Sequence, residues 1–498
     1  MHLVIRRSGT LIEISPDGQT PLPAPIVACL HPYLQYDHRH LLRGAAAYDS
    51  VTGHRESVEI VTKLMYRLEG GRLVTGFGFL PRIVNLLRAQ GHIVHFVDIS
   101  PPRRRPNCYE TNWEGLAQAG LQFRPRQLEC LLAIANNPGG VIVAPTGFGK
   151  TMLLCMLALL YPRAKIAIVT RSVEVAETIV RRLSAYLPSV GMVGGGRAIT
   201  GRVTVYTAGS MHHCDGDADI FLADEIHQLM SDDSSETMGA TFRHTRNYGF
   251  TATPEGRMDG ACAMLEMFFG PRIFQMTYDE AVSLGLVVPI FVRWLPVCLT
   301  DNPAAGKKDV PKLRWGIWRN QARNALIAAD ARQYPEDTQI LINVSTIDHA
   351  IHLWQYLPEF ELCYASFDPE ECHRYQRNKL LPQDFRIVTP ERRYQMQRDF
   401  ERKALKRVIA TDVWSTGVDF EQLQVFYNIS GRESEILNTQ GPGRVSRTFD
   451  GKDCGEVVDC IDFFDSGFKR KSELRRRQYK SLGWADNWPT GRRQANRS

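Results

Sequence analysis

The sequence offers no apolar run of membrane-spanning length. The stretch Met152 to Leu160 falls well short of a helical span. The opening Met-His-Leu-Val-Ile-Arg-Arg does not have the form of a signal peptide. Eleven cysteines are present, yet they include no CxxC pair and no other metal-ligand spacing. That argues against a zinc framework or a disulfide scaffold, and leaves reduced, mostly buried thiols. No internal repeat and no low-complexity tract is visible. Charge of one sign does not dominate: the formal net charge is +6 and the pI about 8.7. Such a balance permits a polyanionic partner without demanding one. A cytosolic chain with no membrane partner is expected.

Apolar residues at 44% and charged residues at 23% are those of an ordinary globular protein, and 498 residues suffice for about three domains. The chain is organised around Val141-Ile-Val-Ala-Pro-Thr-Gly-Phe-Gly-Lys-Thr151, a buried strand running into a Walker A phosphate loop and then a helix. Gly147 and Gly149 let successive backbone N–H groups turn inward, and the helix beginning at Lys150 adds its positive end. Lys150 can reach the β- and γ-phosphates, while the Thr151 hydroxyl is placed to hold Mg²⁺. Ala144 stands where the strict pattern has its first glycine.

Downstream, Lys165–Thr170, Arg202–Thr207, Asp219–Asp224 and Tyr248–Thr251 are short apolar runs ending in polar residues. Strands alternating with helices imply a doubly wound parallel sheet, whose ligands gather at the carboxyl ends of the strands. One of those ends carries Asp224-Glu-Ile-His227. Asp224 suits a second Mg²⁺ ligand, and Glu225 can orient or deprotonate an attacking water. Upstream, Phe123-Arg-Pro-Arg-Gln127 opens a helix, and the Gln127 amide could meet the two-faced edge of adenine.

Ala144 to Thr151, Asp224 to His227 and Gly249-Phe-Thr-Ala-Thr-Pro254 resemble motifs I, II and III of superfamily 2 helicases. Ile340 to Thr346 with His349 resembles motif IV, Val408 to Asp419 motif V, and Gln440-Gly-Pro-Gly-Arg-Val-Ser-Arg447 motif VI. The resemblance implies an α/β fold with two RecA-like doubly wound parallel-sheet domains in tandem, preceded by a small α+β accessory domain. The expected boundaries are an accessory domain at 1–108, a first RecA-like domain at 109–289, an interdomain connector at 290–322, a second RecA-like domain at 323–465 and a basic tail at 466–498. Val74 to Pro81, Arg124-Pro-Arg-Gln127 and Tyr278 to Pro289 resemble the phage UvsW-like and XPB-like branch. Arg126 departs from it by replacing the aromatic residue usual before the glutamine, and Cys363 to Pro390 is longer and more polar than usual.

An ATP-dependent DNA helicase or translocase follows from the resemblance, with ATP and Mg²⁺ bound between the RecA-like domains. Its substrate would be single-stranded, duplex or branched DNA in replication, recombination or repair. Lys150, Glu225, Gln440, Arg444 and Arg447 are the implied catalytic residues, the two arginines placing positive charge at the departing γ-phosphate. Nucleotide binding falls to Arg124, Gln127, Pro145, Thr146, Gly147, Phe148, Gly149, Lys150, Thr151, Gly417 and Asp419. Thr151 and Asp224 would hold the metal. His227, Thr251, Ala252 and Thr253 would couple nucleotide state to movement, while Thr170, Arg171, Thr207, Ser345 and Thr411 match the nucleic-acid contacts. An RNA helicase, a nucleic-acid-binding ATP switch and a restriction-type motor subunit are the alternatives. The resemblance places the chain in a bacterial or phage-infected host cytosol, or in the nucleus of a eukaryote. Two basic stretches, Arg103 to Arg105 and Lys469 to Lys480, could add nucleic-acid contacts.

Overall fold

The computed structural model describes residues 1–17, 20–41, 58–100, 107–214, 216–226, 229, 232–242, 245–252, 262–414, 420–431, 438–439 and 441–487. It divides into two compact units, Met1–Thr277 and Tyr278–Ser498. Among the described residues no helix is long and apolar enough to cross a membrane.

The first unit begins with a five-stranded sheet. Its order is Tyr66–Glu69, Arg72–Gly76, Leu11–Ser15, His2–Ser8 and Ile93–Asp98, antiparallel except for the last pair. The helix Leu80–Ala89 makes that parallel crossover and buries Ile83 and Leu87. Gly91 follows it with φ +77°, a left-handed position that suits glycine. A separate ribbon pairs Gln35–Leu41 with Val58–Leu64.

The second sheet of this unit has eight strands. Its order is Arg197–Ile199, Gly191–Gly194, Val203–Thr207, Ile166–Thr170, Ile220–Asp224, Arg246–Thr251, Gly139–Val143 and Arg272–Gln275. Only Arg197–Ile199 runs antiparallel. Four of its strands, at 166–170, 203–207, 220–224 and 246–251, are buried almost throughout. Burial on both faces is why they read as unbroken apolar runs rather than alternating ones.

The small N-terminal sheet does not have a core of its own. Ile5, Ile12, Leu73 and Phe79 share one continuous apolar cluster with Val143, Phe221, Met264 and Phe268. Gly78 lies so close to the carbonyl of Glu266 that a Cβ there would collide with it. Arg82 pairs with Glu266, and the Tyr36 hydroxyl reaches Met264 Sδ at 3.3 Å. The helix Cys262–Phe269 is therefore the seat of the accessory sheet.

The second unit contains a seven-stranded parallel sheet. Its order is Glu361–Cys363, Arg407–Ala410, Ile340–Asn343, Val425–Asn428, Gly455–Asp462, Ile290–Val297 and Ala485–Asp486. Two expectations change here. Residues 290–297 are no connector, because Ile290–Val297 lies inside this sheet, paired along its whole length with Gly455–Asp462. The basic segment after 465 is no loose tail either. The helix Ser466–Ser481 turns Phe468, Ser472, Arg475 and Tyr479 inward, and Trp484 stacks on Tyr479 at 5.1 Å. The basic stretch Arg103 to Arg105 lies outside the described residues.

Candidate nucleotide site

The phosphate loop leaves the end of the strand Gly139–Val143. Gly147 and Gly149 have φ +104° and +87°, left-handed values that glycine tolerates. Gly149 then caps the helix Lys150–Leu160, its carbonyl accepting from the N–H groups of Met152 and Leu153. Phe148 does not face outward. Its ring is buried and stacks on Phe274 at 5.4 Å, so it anchors the loop from beneath. Pro145, Thr146 and Thr151 are half-buried at the loop surface.

Gln127 holds this loop in place. Its Oε1 accepts from the Arg124 N–H at 2.9 Å, and its Nε2 donates to the Phe148 carbonyl at 2.8 Å. Arg124 Nη1 donates to the Gly147 carbonyl, also at 2.9 Å. The Gln127 amide is thus engaged with the loop backbone through one bond at each end, and its meeting with adenine stays an expectation. A side chain at Gly149 would come within 2.7 Å of the Gln127 Nε2. Arg126 adopts a left-handed φ of +63°. Its guanidinium pairs with Glu129 at 2.7 Å and lies 5.0 Å from the centre of the Phe274 ring.

Two strands away, Asp224 ends Ile220–Asp224 and Glu225 follows with φ +50°. Lys150 links the two motifs: its Nζ lies 3.6 Å from Glu225 Oε1 and donates to the Ala144 carbonyl at 3.2 Å. Asp224 is buried, and burial, reinforced by the neighbouring Glu225 and opposed by Lys150, pushes its carboxyl up to about 7. Among the described residues no three His, Cys, Asp or Glu side chains gather as a metal centre. The buried Asp224 carboxylate and the half-buried Thr151 hydroxyl are instead oxygen donors of the kind a divalent cation takes, its other ligands coming from phosphate and water. Thr251 is buried, and its carbonyl accepts from the Ala144 N–H at 3.0 Å, tying motif III to the phosphate loop. Ala252 is half-buried beside it.

Two expected nucleic-acid contacts are not at the surface. Thr170 is 2% exposed and Thr207 7%, and the Thr207 hydroxyl is taken up by Ser210 at 2.7 Å. They pair side by side at the ends of two internal strands, which is why both are covered. Arg171 is exposed, while Ser345 and Thr411 are half-buried in the second unit.

In that unit Arg444 is also internal. It is 4% exposed, donates to the Trp414 carbonyl and lies 5.9 Å from the centre of the Phe420 ring. It joins motif VI to the start of motif V rather than offering charge outward, and Arg447, half-buried, is the more accessible of the pair. His227, Thr253, Gly417, Asp419 and Gln440 lie outside the described residues.

Sequence reasoning missed the polar network behind motif VI. Asn428 Nδ2 donates to Asn438 Oδ1 at 3.0 Å and to the Tyr479 hydroxyl at 2.7 Å. The Tyr479 hydroxyl donates to Asp459 at 2.9 Å, and Arg475 clasps the same carboxylate with two bonds of 2.8 Å. The available signal was the run of polar residues at helical spacing after Asp465.

The sequence model of the family described as "Type III restriction enzyme, res subunit" matches residues 120–256, which hold the phosphate loop and Asp224. The DNA 3'-5' translocase XPB2 of Sulfurisphaera tokodaii is 24% identical over 358 residues, covering 66% of this chain and 80% of its own. The DNA 3'-5' helicase XPB of Kineococcus radiotolerans is 26% identical over 201 residues, 37% of this chain and 36% of its own. Among solved structures, S. cerevisiae Dbp5 bound to RNA and ADP BeF3 overlays with a TM-score of 0.52 at 14% identity, covering 75% of this chain and 92% of that one. That overlay bears on the fold alone, and it is the tandem parallel-sheet α/β architecture found here. With its motifs in order along two such sheets and relatives named for XPB, the chain is similar in sequence and in fold to superfamily 2 helicases.

Proposed function

We propose that the chain is an ATP-dependent DNA helicase or translocase that unwinds or remodels DNA, branched DNA above all, in replication, recombination or repair. The observation that carries this reading is the convergence of Lys150, Asp224 and Glu225 at the carboxyl ends of the strands of one sheet, with Lys150 Nζ 3.6 Å from Glu225 Oε1. Backbone N–H groups of the phosphate loop and Lys150 bind the β- and γ-phosphates. Thr151 and Asp224 would hold Mg²⁺, which when bound neutralises charge on the terminal phosphates. Glu225 orients the attacking water and accepts its proton. Arg447 supplies positive charge where the γ-phosphate departs. Thr251 and Ala252 pass the nucleotide state on, since the Thr251 carbonyl is bonded to the first residue of the phosphate loop.

DNA is favoured over RNA because the two XPB relatives described above are named for DNA. The name of the matched family favours, as a second reading, a restriction-type motor subunit acting on duplex DNA. A single experiment separates them: ATP turnover by the full chain with single-stranded, duplex, forked and four-way DNA, and with matched RNA. Greatest stimulation by forks and four-way junctions is expected. Stimulation by plain duplex alone supports the restriction-type reading, RNA-selective stimulation supports an RNA helicase, and no stimulation by any polymer defeats the proposal.

A further inference from the structure

Between the strand Ile290–Val297 and the helix Gln321–Ala331 lies a feature that the nucleotide site does not use. Arg314–Trp318 form a single π-helical turn, a geometry concentrated at functional positions. The turn is clamped from behind. Ile317 and Trp318 are buried with Ala304 and Phe468, and a side chain at Gly316 would collide with the Phe468 ring. Trp315 is left 44% exposed, an unusual position for an indole held in a fixed frame.

Its surroundings are cationic. The Arg319 guanidinium lies 5.8 Å from the centre of the Trp315 ring, and Arg319 Nε donates to both Asp348 oxygens at 2.9 and 3.2 Å. Arg314 Nε stands 3.9 Å from the same carboxylate, which also accepts from the Tyr375 hydroxyl at 2.7 Å and lies 3.5 Å from His352. Two arginines against one carboxylate leave positive charge over. Asp348 belongs to the first turn of the helix Ile347–Trp354. The Thr346 hydroxyl caps that helix, directly after Ser345 at the end of motif IV. The indole and its cations therefore stand beside the strand end already expected to meet nucleic acid.

We propose that Trp315 is a stacking platform for an unpaired base of the bound strand, with Arg314 on the adjoining phosphate. The proposal rests on the nucleic-acid motor reading above. Every base offers a π face, so the contact tolerates any sequence, as a motor requires. A base inside a duplex has both faces covered by its stacked neighbours, so the platform distinguishes unpaired strand from duplex. Phosphate contacts alone would not call for an indole.

The test compares the full-length chain with Trp315→Ala and Trp315→Phe. The probes are a fluorescein-labelled oligothymidine, the same strand with a central abasic run, and a blunt duplex of equal length. Wild type should prefer the intact strand to the abasic one by roughly tenfold. Trp315→Ala should bring that ratio close to one, and Trp315→Phe should restore much of it, with duplex affinity and Tm held. An intact-to-abasic ratio that Trp315→Ala leaves at the wild-type value, or a Phe variant no better than Ala, overturns the proposal. A wild type that binds none of the strands and whose ATP turnover no nucleic acid raises overturns the motor reading, and this proposal with it.

Discussion

Burying the Asp224 carboxylate costs stability that a bound cation can return. Burial, reinforced by the neighbouring Glu225, pushes the group from 3.8 up to about 7, so the fold favours its protonated form. The destabilisation grows as pH rises above about 4 and is complete above about 7. Asp224→Asn should therefore raise Tm in metal-free buffer at about pH 8, by the equivalent of roughly 1–4 kcal/mol, with the gain vanishing toward about pH 4. The same variant should lose Mg²⁺-dependent turnover, and a Tm at or below wild type at the higher pH contradicts the account. Glu225 holds a φ of +50°, a conformation that costs a non-glycine residue about 1–3 kcal/mol and is found at working sites. Glu225→Gln should keep ATP affinity and lose turnover by a factor of ~10² or more. Near-normal turnover with contaminating wild-type enzyme excluded removes Glu225 from the mechanism. The two arginines of motif VI should separate. Arg447→Ala lowers turnover with Tm and nucleotide affinity held, whereas Arg444→Ala lowers Tm because it strands the buried Trp414 carbonyl. Equal effects of the two on Tm would merge their roles.

The C-terminal helix Ser466–Ser481 works as a strut for the second sheet. Its Arg475 and Asp459 are an ion pair sealed from solvent, with side chains 2% and 0% exposed. Arg475→Ala leaves that carboxylate uncompensated and should cost about 3–5 kcal/mol, read from urea denaturation of the full chain. A loss under ~1 kcal/mol would mean that water or Tyr479 replaces the guanidinium. The sequence hid this strut because seven Lys and Arg residues between 469 and 480 outweighed the inward stripe of Phe468, Ser472, Arg475 and Tyr479. The strand Ile290–Val297 was obscured differently. Its apolar run is followed by the polar segment Asp301 to Asp309, with Pro303, Gly306, Lys307 and Lys308, which gives the whole interval the composition of a connector. Strands bearing the phosphate loop and Asp224 were legible because burial on both faces leaves unbroken apolar runs with polar ends. Placement of Thr170, Thr207, Gln127 and Arg444 was not, since whether a polar side chain turns to solvent or to a neighbouring carbonyl depends on residues distant in the chain.

At the scale of the molecule, the N-terminal sheet is an inseparable part of the first unit, and its apolar face is completed by Met264 and Phe268. A chain begun at Tyr109 should therefore aggregate or melt well below the full chain, measured by size-exclusion chromatography and thermal denaturation. A monomeric product of unchanged Tm would show the sheet to be dispensable. The shared core also has a consequence for synthesis. The sheet is finished near Asp98, whereas its seat is the helix Cys262–Phe269. At ordinary translation rates of about 5–20 residues per second, roughly ten to thirty seconds separate the two on the ribosome. Throughout that interval Ile5, Ile12, Leu73 and Phe79 lack the surface that completes their burial, so the nascent N-terminus is a natural client for a chaperone that binds exposed apolar segments.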